Sequence, residues 1–401
     1  MIKNIAFSNY RLFSAKQNMR LAPITVILGK NNIGKSAILK LPLLLQSALA
    51  GSTSNAFDKT GENGIVLCDE YRDVVYGKAN KSVSLNLEAD NGACLDVSFI
   101  VDKSDEGEWK TIIEKWSIES RNDKLSICWN YNLSKYVEEG NGNEVIFSGI
   151  VPQNTTRQEW VLTMLQAFNI HADYIGPVRH KMAREFRLQP LSKGLFSGNN
   201  GELNYSYLVK DHLTVQRELF QEVTSWYETN FDGWTLGVDK TRDPLYSLTM
   251  TAGGMRNNLQ DTGEGIIQSL PVITAICRDY GEPTLLELEE PGTHLHPAAQ
   301  GPLAELLARR SISDQTKRYL IETHSLNFIL RLRALVAMGV LPLDYVELYY
   351  VEYDREQCAS NLKSVGLRAD GSVASWPKDV FNEAFQEALK IRNAQLNQHR
   401  P

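Results

Sequence analysis

Period-two alternation of apolar and polar residues marks one long stretch of this chain. Between about residues 65 and 150, Val83, Leu85 and Leu87 alternate with Ser and Asn, and Leu95, Val97 and Phe99 do likewise. Gly and Asn separate these runs, so the pattern predicts a meander of antiparallel strands. Residues 2–28 read as two strands joined by a turn followed by a third, Ile24–Leu28, whose unbroken apolar, β-branched run marks it as buried. Helical spacing appears at 37–49, 157–170, about 203–230, 266–278 and 297–310, with short strands at Thr284–Leu288 and Tyr319–Ile321. Polar, glycine-rich segments at 51–64 and 198–201 punctuate the series. No internal repeat stands out and no heptad run lasts more than a couple of turns, which excludes a long coiled-coil arm.

The order of elements matters most around Gly29–Ser36, which reads Gly-Lys-Asn-Asn-Ile-Gly-Lys-Ser. This is a complete G-x-x-x-x-G-K-[ST] loop with a strand ahead of it and a helical pattern behind, the setting the motif requires. At average composition such a match arises by accident on the order of one per cent of the time in a chain of this size. The glycines let backbone N–H groups turn inward around a phosphate chain, and the helix N-terminus adds partial positive charge. Gly29, Asn31, Asn32, Gly34, Lys35, Ser36 and Ala37 are therefore expected around the phosphates of a nucleoside triphosphate. Lys35 would reach the β- and γ-phosphates, and Ser36 would place its hydroxyl on Mg²⁺.

Composition narrows the setting. The 401 residues are 43% hydrophobic and 22% charged, ordinary for a globular protein with ample core. No apolar stretch reaches the roughly 20 residues that cross a bilayer, and the first residues lack a signal-peptide pattern, so a cytoplasmic, membrane-free protein is expected. Five scattered cysteines without C-x-x-C spacing read as reduced thiols. A net charge of −6 argues against a whole-surface nucleic-acid binder, though not against a local basic groove. One such cluster exists, Arg179, His180, Lys181, Arg184 and Arg187, which suits either phosphate oxygens or a charged surface.

The second half supplies further acids. Leu285 to Pro291 is an apolar strand ending in Glu289 and Glu290. Running beside the phosphate-loop strand, it could present one carboxylate to Mg²⁺ and the next to an attacking water. Glu287 interrupts that strand, and a solvated strand end is the alternative reading of the three acids. His294 and His296 lie too far in sequence from His324 for a zinc pattern.

These segments together resemble the ABC-type ATPase heads of the SMC–Rad50–RecF branch, and within it the OLD-like ATPases of antiphage defence. Glu289-Glu290-Pro291 with His294-Leu295-His296-Pro297 and Gln300 resembles that group's Walker B and D-loop, "EEPE-hLHP-xxQ". Glu322-Thr323-His324-Ser325 is similar to its "ETHS" switch motif. Asp261 to Gly265, with Gln268, resembles the degenerate signature motif of the group, although a glycine turn capping a helix would read the same way. Tyr174-Ile175-Gly176-Pro177-Val178-Arg179 resembles its "yiGPxR" element, and Asp370-Gly371-Ser372 with Trp376-Pro377 the C-terminal segment of one subgroup.

The resemblance implies an α/β fold, an ABC-ATPase head (P-loop NTPase) with a β-rich antiparallel insert and a helical subdomain. The segments would be 1–64, an N-terminal lobe with Walker A; 65–150, the β-rich part; 151–258, a helical and mixed insert; 259–350, a C-terminal lobe with signature, Walker B, D-loop and switch histidine; and 351–401, an extension. Glu290 and His324 would be catalytic, Ser36 and Glu289 would hold Mg²⁺, and Gly263 and Gly265 would approach the γ-phosphate held by a second subunit. The cofactors implied are ATP and Mg²⁺, and the activity is ATP hydrolysis, slow in isolation. The assembly implied is a homodimer or higher homo-oligomer acting as the sensor of a defence complex, controlling a separate nuclease or toxin, with DNA or a phage component as further candidate partners. RecF-like DNA repair and a non-hydrolysing scaffold are the alternatives. A transporter subunit would need an LSGGQ-like signature and has no use for the β-rich stretch. Two departures stand out: Glu rather than Asp at 289, so that Mg²⁺ could be held through water, and Gly292 where relatives carry Glu. Only about 75 residues follow His324, and Glu352 with Asp354 completes no acidic metal cluster, so no nuclease is expected in the same chain.

Overall fold

The computed structural model describes residues 1–401 apart from 62–63, 104–106, 122, 191–195, 243, 375–388, 393–394 and 396–401. Trp376 and Pro377 of the C-terminal resemblance therefore lie outside the described residues.

Strands β1 (Ile2–Ser8), β2 (Gln17–Arg20) and β3 (Ile24–Gly29) open the chain. Helices α1 (Lys35–Leu39) and α2 (Leu41–Ala50) follow the loop. The sequence pattern reads as one helix here. The break falls at Lys40 because Pro42, at the start of α2, has no N–H to offer the preceding turn. The alternating stretch forms β4 (Val83–Ala89), β5 (Cys94–Lys103), β6 (Trp109–Ser120), β7 (Asp123–Asn130), β8 (Lys135–Glu138), β9 (Glu144–Ser148) and β10 (Val151–Gln153). In β4, Val83, Leu85, Leu87 and Ala89 are buried and the residues between them are not.

This meander is continuous with the N-terminus. One nine-stranded sheet runs β10-β9-β8-β7-β6-β5-β4-β1-β2, so β1 pairs with β4 across the expected 64/65 boundary.

Next come α3 (Gln158–Leu165), β11 (His171–Ile175), β12 (Phe186–Arg187), α4 (Leu203–His212) and α5 (Glu218–Asn230). Strands β13 (Thr235–Arg242), β14 (Leu245–Ala252) and β15 (Met255–Asn258) form a small sheet with β12. The C-terminal lobe holds α6 (Glu264–Cys277), β16 (Thr284–Glu289), α7 (Pro297–Ser313), β17 (Lys317–Glu322), α8 (Leu326–Ala337), β18 (Val346–Asp354) and β19 (Ala359–Ser364).

A six-stranded sheet, β11-β16-β17-β3-β18-β19, assembles these ends. All its pairs are parallel except β18–β19. It corrects one expectation: β16 does not run beside the phosphate-loop strand, because β17 lies between them. The sheet separates two apolar cores. Ile27, Leu285, Leu320 and Tyr349 face the first core with α1, α2 and the antiparallel sheet; Val26, Leu286, Ile321 and Leu348 face the second with α4 to α8. A strand buried on both faces must be apolar throughout, which is why β3 reads as a continuous run.

Candidate functional site

At the end of β3 the chain turns through Gly29 (φ 147), Asn32 (φ 62) and Gly34 (φ 98) before α1 begins. A Cβ on Gly29 would lie 2.8 Å from the Val351 carbonyl oxygen, and one on Gly34 3.0 Å from the Phe13 ring, so only glycine fits either place. The loop aims two side chains at the ends of β16 and β17. Lys35, 3% exposed, donates to the Lys30 carbonyl at 2.7 Å and pairs with Glu322 Oε1 at 3.3 Å. Ser36 Oγ lies 3.1 Å from Glu289 Oε1 and 2.9 Å from Glu322 Oε2.

The strand-end acids differ in setting. Glu289 also accepts from the Tyr174 hydroxyl at 2.5 Å. Glu290 has left-handed backbone (φ 48), and its Oε2 accepts from the His324 N–H at 3.3 Å. Its Oε1 lies 3.5 Å from His324 Nε2. Burial, with Glu322 adding to it, pushes the Glu290 carboxyl up to about 7 against the His324 N–H, Lys35 and Arg179. Burial, reinforced by Lys35, holds His324 below its usual value, so the imidazole is neutral at neutral pH. Glu287 is fully buried and neither oxygen finds a hydrogen-bond partner among the described residues, which rules out for it the alternative of a solvated strand end.

A pocket of about 690 Å³ connects these groups, lined by Asn31, Asn32, Gly34, Lys35, Ser36 and Ala37 together with Glu289, Glu290, Glu322 and His324. Tyr10, Arg11, Leu12 and Leu67 form another part of its wall. Its size suits a nucleotide. The donor set around Ser36, one hydroxyl and two carboxylates, is the hard oxygen chemistry that Mg²⁺ takes, so the residues fit that ion.

A phosphate loop, acidic ends on β16 and a histidine after the intervening β17 thus meet at one edge of a parallel sheet, with an antiparallel sheet alongside. The fold is a mixed α/β one, in which an antiparallel sheet flanks a mostly parallel sheet that carries the phosphate loop. Residues 186–331 match the model of the family described as "AAA domain, putative AbiEii toxin, Type IV TA system", a span that includes Glu289, Glu290 and His324 but not the phosphate loop. No curated protein matches the chain. Among solved structures, the chain resembles an SMC head bound to the C-winged helix domain of ScpA (14% identity, TM-score 0.48, covering 92% of this chain and 98% of that one). It also resembles the SMC head domain from Thermotoga maritima (11%, TM-score 0.41, 91% and 99%). A third likeness is to an Smc head with an extended coiled coil bound to the C-terminal domain of ScpA derived from Pyrococcus furiosus (10%, TM-score 0.46, 98% and 99%). In this chain the longest helix among the described residues is α7, with 17 residues, and none is long and apolar enough to cross a membrane.

Gly263 and Gly265 do not line this pocket. Gly263 caps α6 and is exposed, with nothing within 4 Å of a Cβ placed there. Gly265 is a packing glycine: a Cβ would lie 2.7 Å from the His294 carbonyl oxygen. The basic cluster is largely engaged with neighbouring protein groups. Arg184 forks onto Asp261, and Lys181 pairs with Glu264 at 3.1 Å. Arg179 is 3% exposed and donates to the carbonyls of Glu289 and Glu290 at 2.6 and 2.8 Å, pinning the turn that carries Glu290. His296 caps α7, its Nδ1 accepting from the Ala298 N–H.

Sequence reasoning missed Glu322, Tyr174 and Arg179 as parts of the site. Each lies inside a quoted motif; the sequence attaches no role to Glu322 and Tyr174, and it puts Arg179 in a phosphate-binding or surface cluster although that side chain holds the turn at Glu289 and Glu290.

Proposed function

We propose that the chain binds ATP with Mg²⁺, hydrolyses it slowly, and closes around it as a dimer that switches a separate effector. What carries the reading is the convergence of Lys35, Ser36, Glu289, Glu290 and His324, from three distant segments, on one nucleotide-sized pocket. Lys35 would hold phosphate oxygens in place of its present partners. Ser36 and Glu289 would hold Mg²⁺, which when bound neutralises phosphate charge. Glu290, at the pocket wall, orients the attacking water and takes its proton, a role needing the ionised carboxylate. His324, neutral and half-exposed beside Glu290, faces the γ-phosphate.

Gly263 is free on the surface for a second head, whose phosphate loop it would complete; two such sites close together only in a two-fold pair. Loss of the γ-phosphate then parts the heads, which turns hydrolysis into a signal. The matched family's description names a toxin–antitoxin system, which supports a defence setting over repair. Lys35→Ala tests the base of this reading. It removes a charge-assisted contact that backbone N–H groups cannot replace, and ATP affinity equal to the parent's, measured by calorimetry, would sink it.

A further inference from the structure

Glu322 closes β17 in direct register with Glu289 at the end of β16. Neighbouring strands therefore deliver two carboxylates to one hydroxyl, with oxygens 2.9 and 3.1 Å from Ser36 Oγ. A hydroxyl has a single proton to donate, so Ser36 alone cannot satisfy both. The other oxygen of Glu322 lies 3.3 Å from Lys35 Nζ, and this pair is almost closed to solvent, with side chains 3% and 7% exposed. Apart from the Lys30 carbonyl, Lys35 meets no other acceptor at hydrogen-bond distance among the described residues. Glu322 thus occupies the two loop side chains that a nucleotide and its cation would claim.

We propose that Glu322 is an exchange carboxylate. In the empty loop it neutralises Lys35 and accepts from Ser36. When nucleotide enters, Lys35 leaves it for the phosphates, and Glu322 turns with Glu289 toward the divalent cation at Ser36. This rests on the nucleotide reading above. The charge balance requires the exchange: once Lys35 has moved, an unpaired, nearly buried carboxylate faces the polyphosphate, and like charges at such range repel strongly outside bulk water. Without a divalent cation, Glu322 therefore opposes binding twice, by competing for Lys35 and by repelling phosphate. With the cation it assists.

Two opposed effects in one variant follow, and a merely structural carboxylate would produce neither pair. Glu322→Gln keeps the shape and an oxygen for Ser36 but loses the charge. Titration of ATPγS in EDTA should show affinity at least about tenfold tighter than the parent's, the scale of one charge-assisted contact. In stepped Mg²⁺, the concentration that half-saturates the cation effect should rise by about the same factor. Glu322→Asp, which keeps the charge but withdraws it from Lys35 by a methylene, carries the test if the amide variant does not fold. It should tighten cation-free binding about threefold and keep the parent's Mg²⁺ dependence. Weaker binding under both conditions, or no change in EDTA for either variant, would overturn the proposal. Lys35→Ala separates the two readings: if it too binds ATPγS like the parent, the nucleotide assignment fails and not the exchange alone.

Discussion

Glu287 is the acid on β16 with no visible task, and removing its ionisable group should stabilise the protein in a pH-dependent way. Its carboxyl is fully buried with both oxygens unpartnered. Burial raises it well above its ordinary 4.5; Asp173 adds to the shift and Lys40 opposes it. The folded protein therefore keeps a proton that the unfolded chain releases near 4.5. Stability from this group is greatest below that value and falls as pH rises toward the folded value, because the unfolded state binds fewer protons. The slope is at most about 1.4 kcal/mol per pH unit, reached between the unfolded and folded values. Glu287→Gln deletes the titration while keeping the shape. Urea unfolding of ligand-free parent and variant at pH 5, 6 and 7 should show a gap that widens in the variant's favour as pH rises, by no more than that slope. The difference between the two proteins isolates this residue from every other group that titrates. A gap that stays constant with pH, or a variant that loses stability at pH 7, would refute the reasoning and show an ionised Glu287 paired with Lys40.

Other outcomes follow from the site. Glu290→Gln should retain ATP and lower turnover by about 10²-fold, the usual scale for loss of a positioned base. With the parent's carboxyl near 7, its turnover should rise with pH through neutrality, and a flat acid limb in stopped assays would remove Glu290 from the role. Gly263→Trp should leave the monomer's stability and ATP affinity intact yet abolish ATP-dependent association, read by light scattering in the Glu290→Gln background; association unchanged would end the two-head mechanism. Gly265→Val, whose Cβ would press on the His294 carbonyl at 2.7 Å, should instead destabilise the fold by about 1–3 kcal/mol, seen as a lower melting temperature.

What the sequence reveals here follows the range of the forces involved. The phosphate loop is legible because strand, turn and helix N-terminus are contiguous, and the antiparallel stretch because one face of each strand is buried. Strand order is not legible: nothing local to Tyr319–Ile321 says that β17 will separate β16 from β3. Glu322 draws its meaning from Ser36, 286 positions away. Glu287 looks like the start of a wet strand end because three acids fall within four residues. Its burial comes from a sheet covered on both faces, a property of assembly. The basic cluster shows the same limit, since composition cannot distinguish Arg179, buried against two carbonyls, from Arg184 on the surface.

The placing of β3 between β17 and β18 has a consequence for how the protein is made. Both hydrogen-bonded neighbours of the phosphate-loop strand are encoded near the other end of the chain. At about 5–20 residues per second of synthesis, roughly 16–64 s separate the emergence of β3 from that of β18. During that interval β1 and β2 can join β4 and the growing antiparallel sheet, whereas the apolar β3 has no sheet partner until β17 emerges and is covered on one edge only until β18 does. A nascent chain stalled before Lys317 should therefore be captured by chaperones through Ile24–Leu28, and nucleotide should rescue folding only after the last strands have left the ribosome.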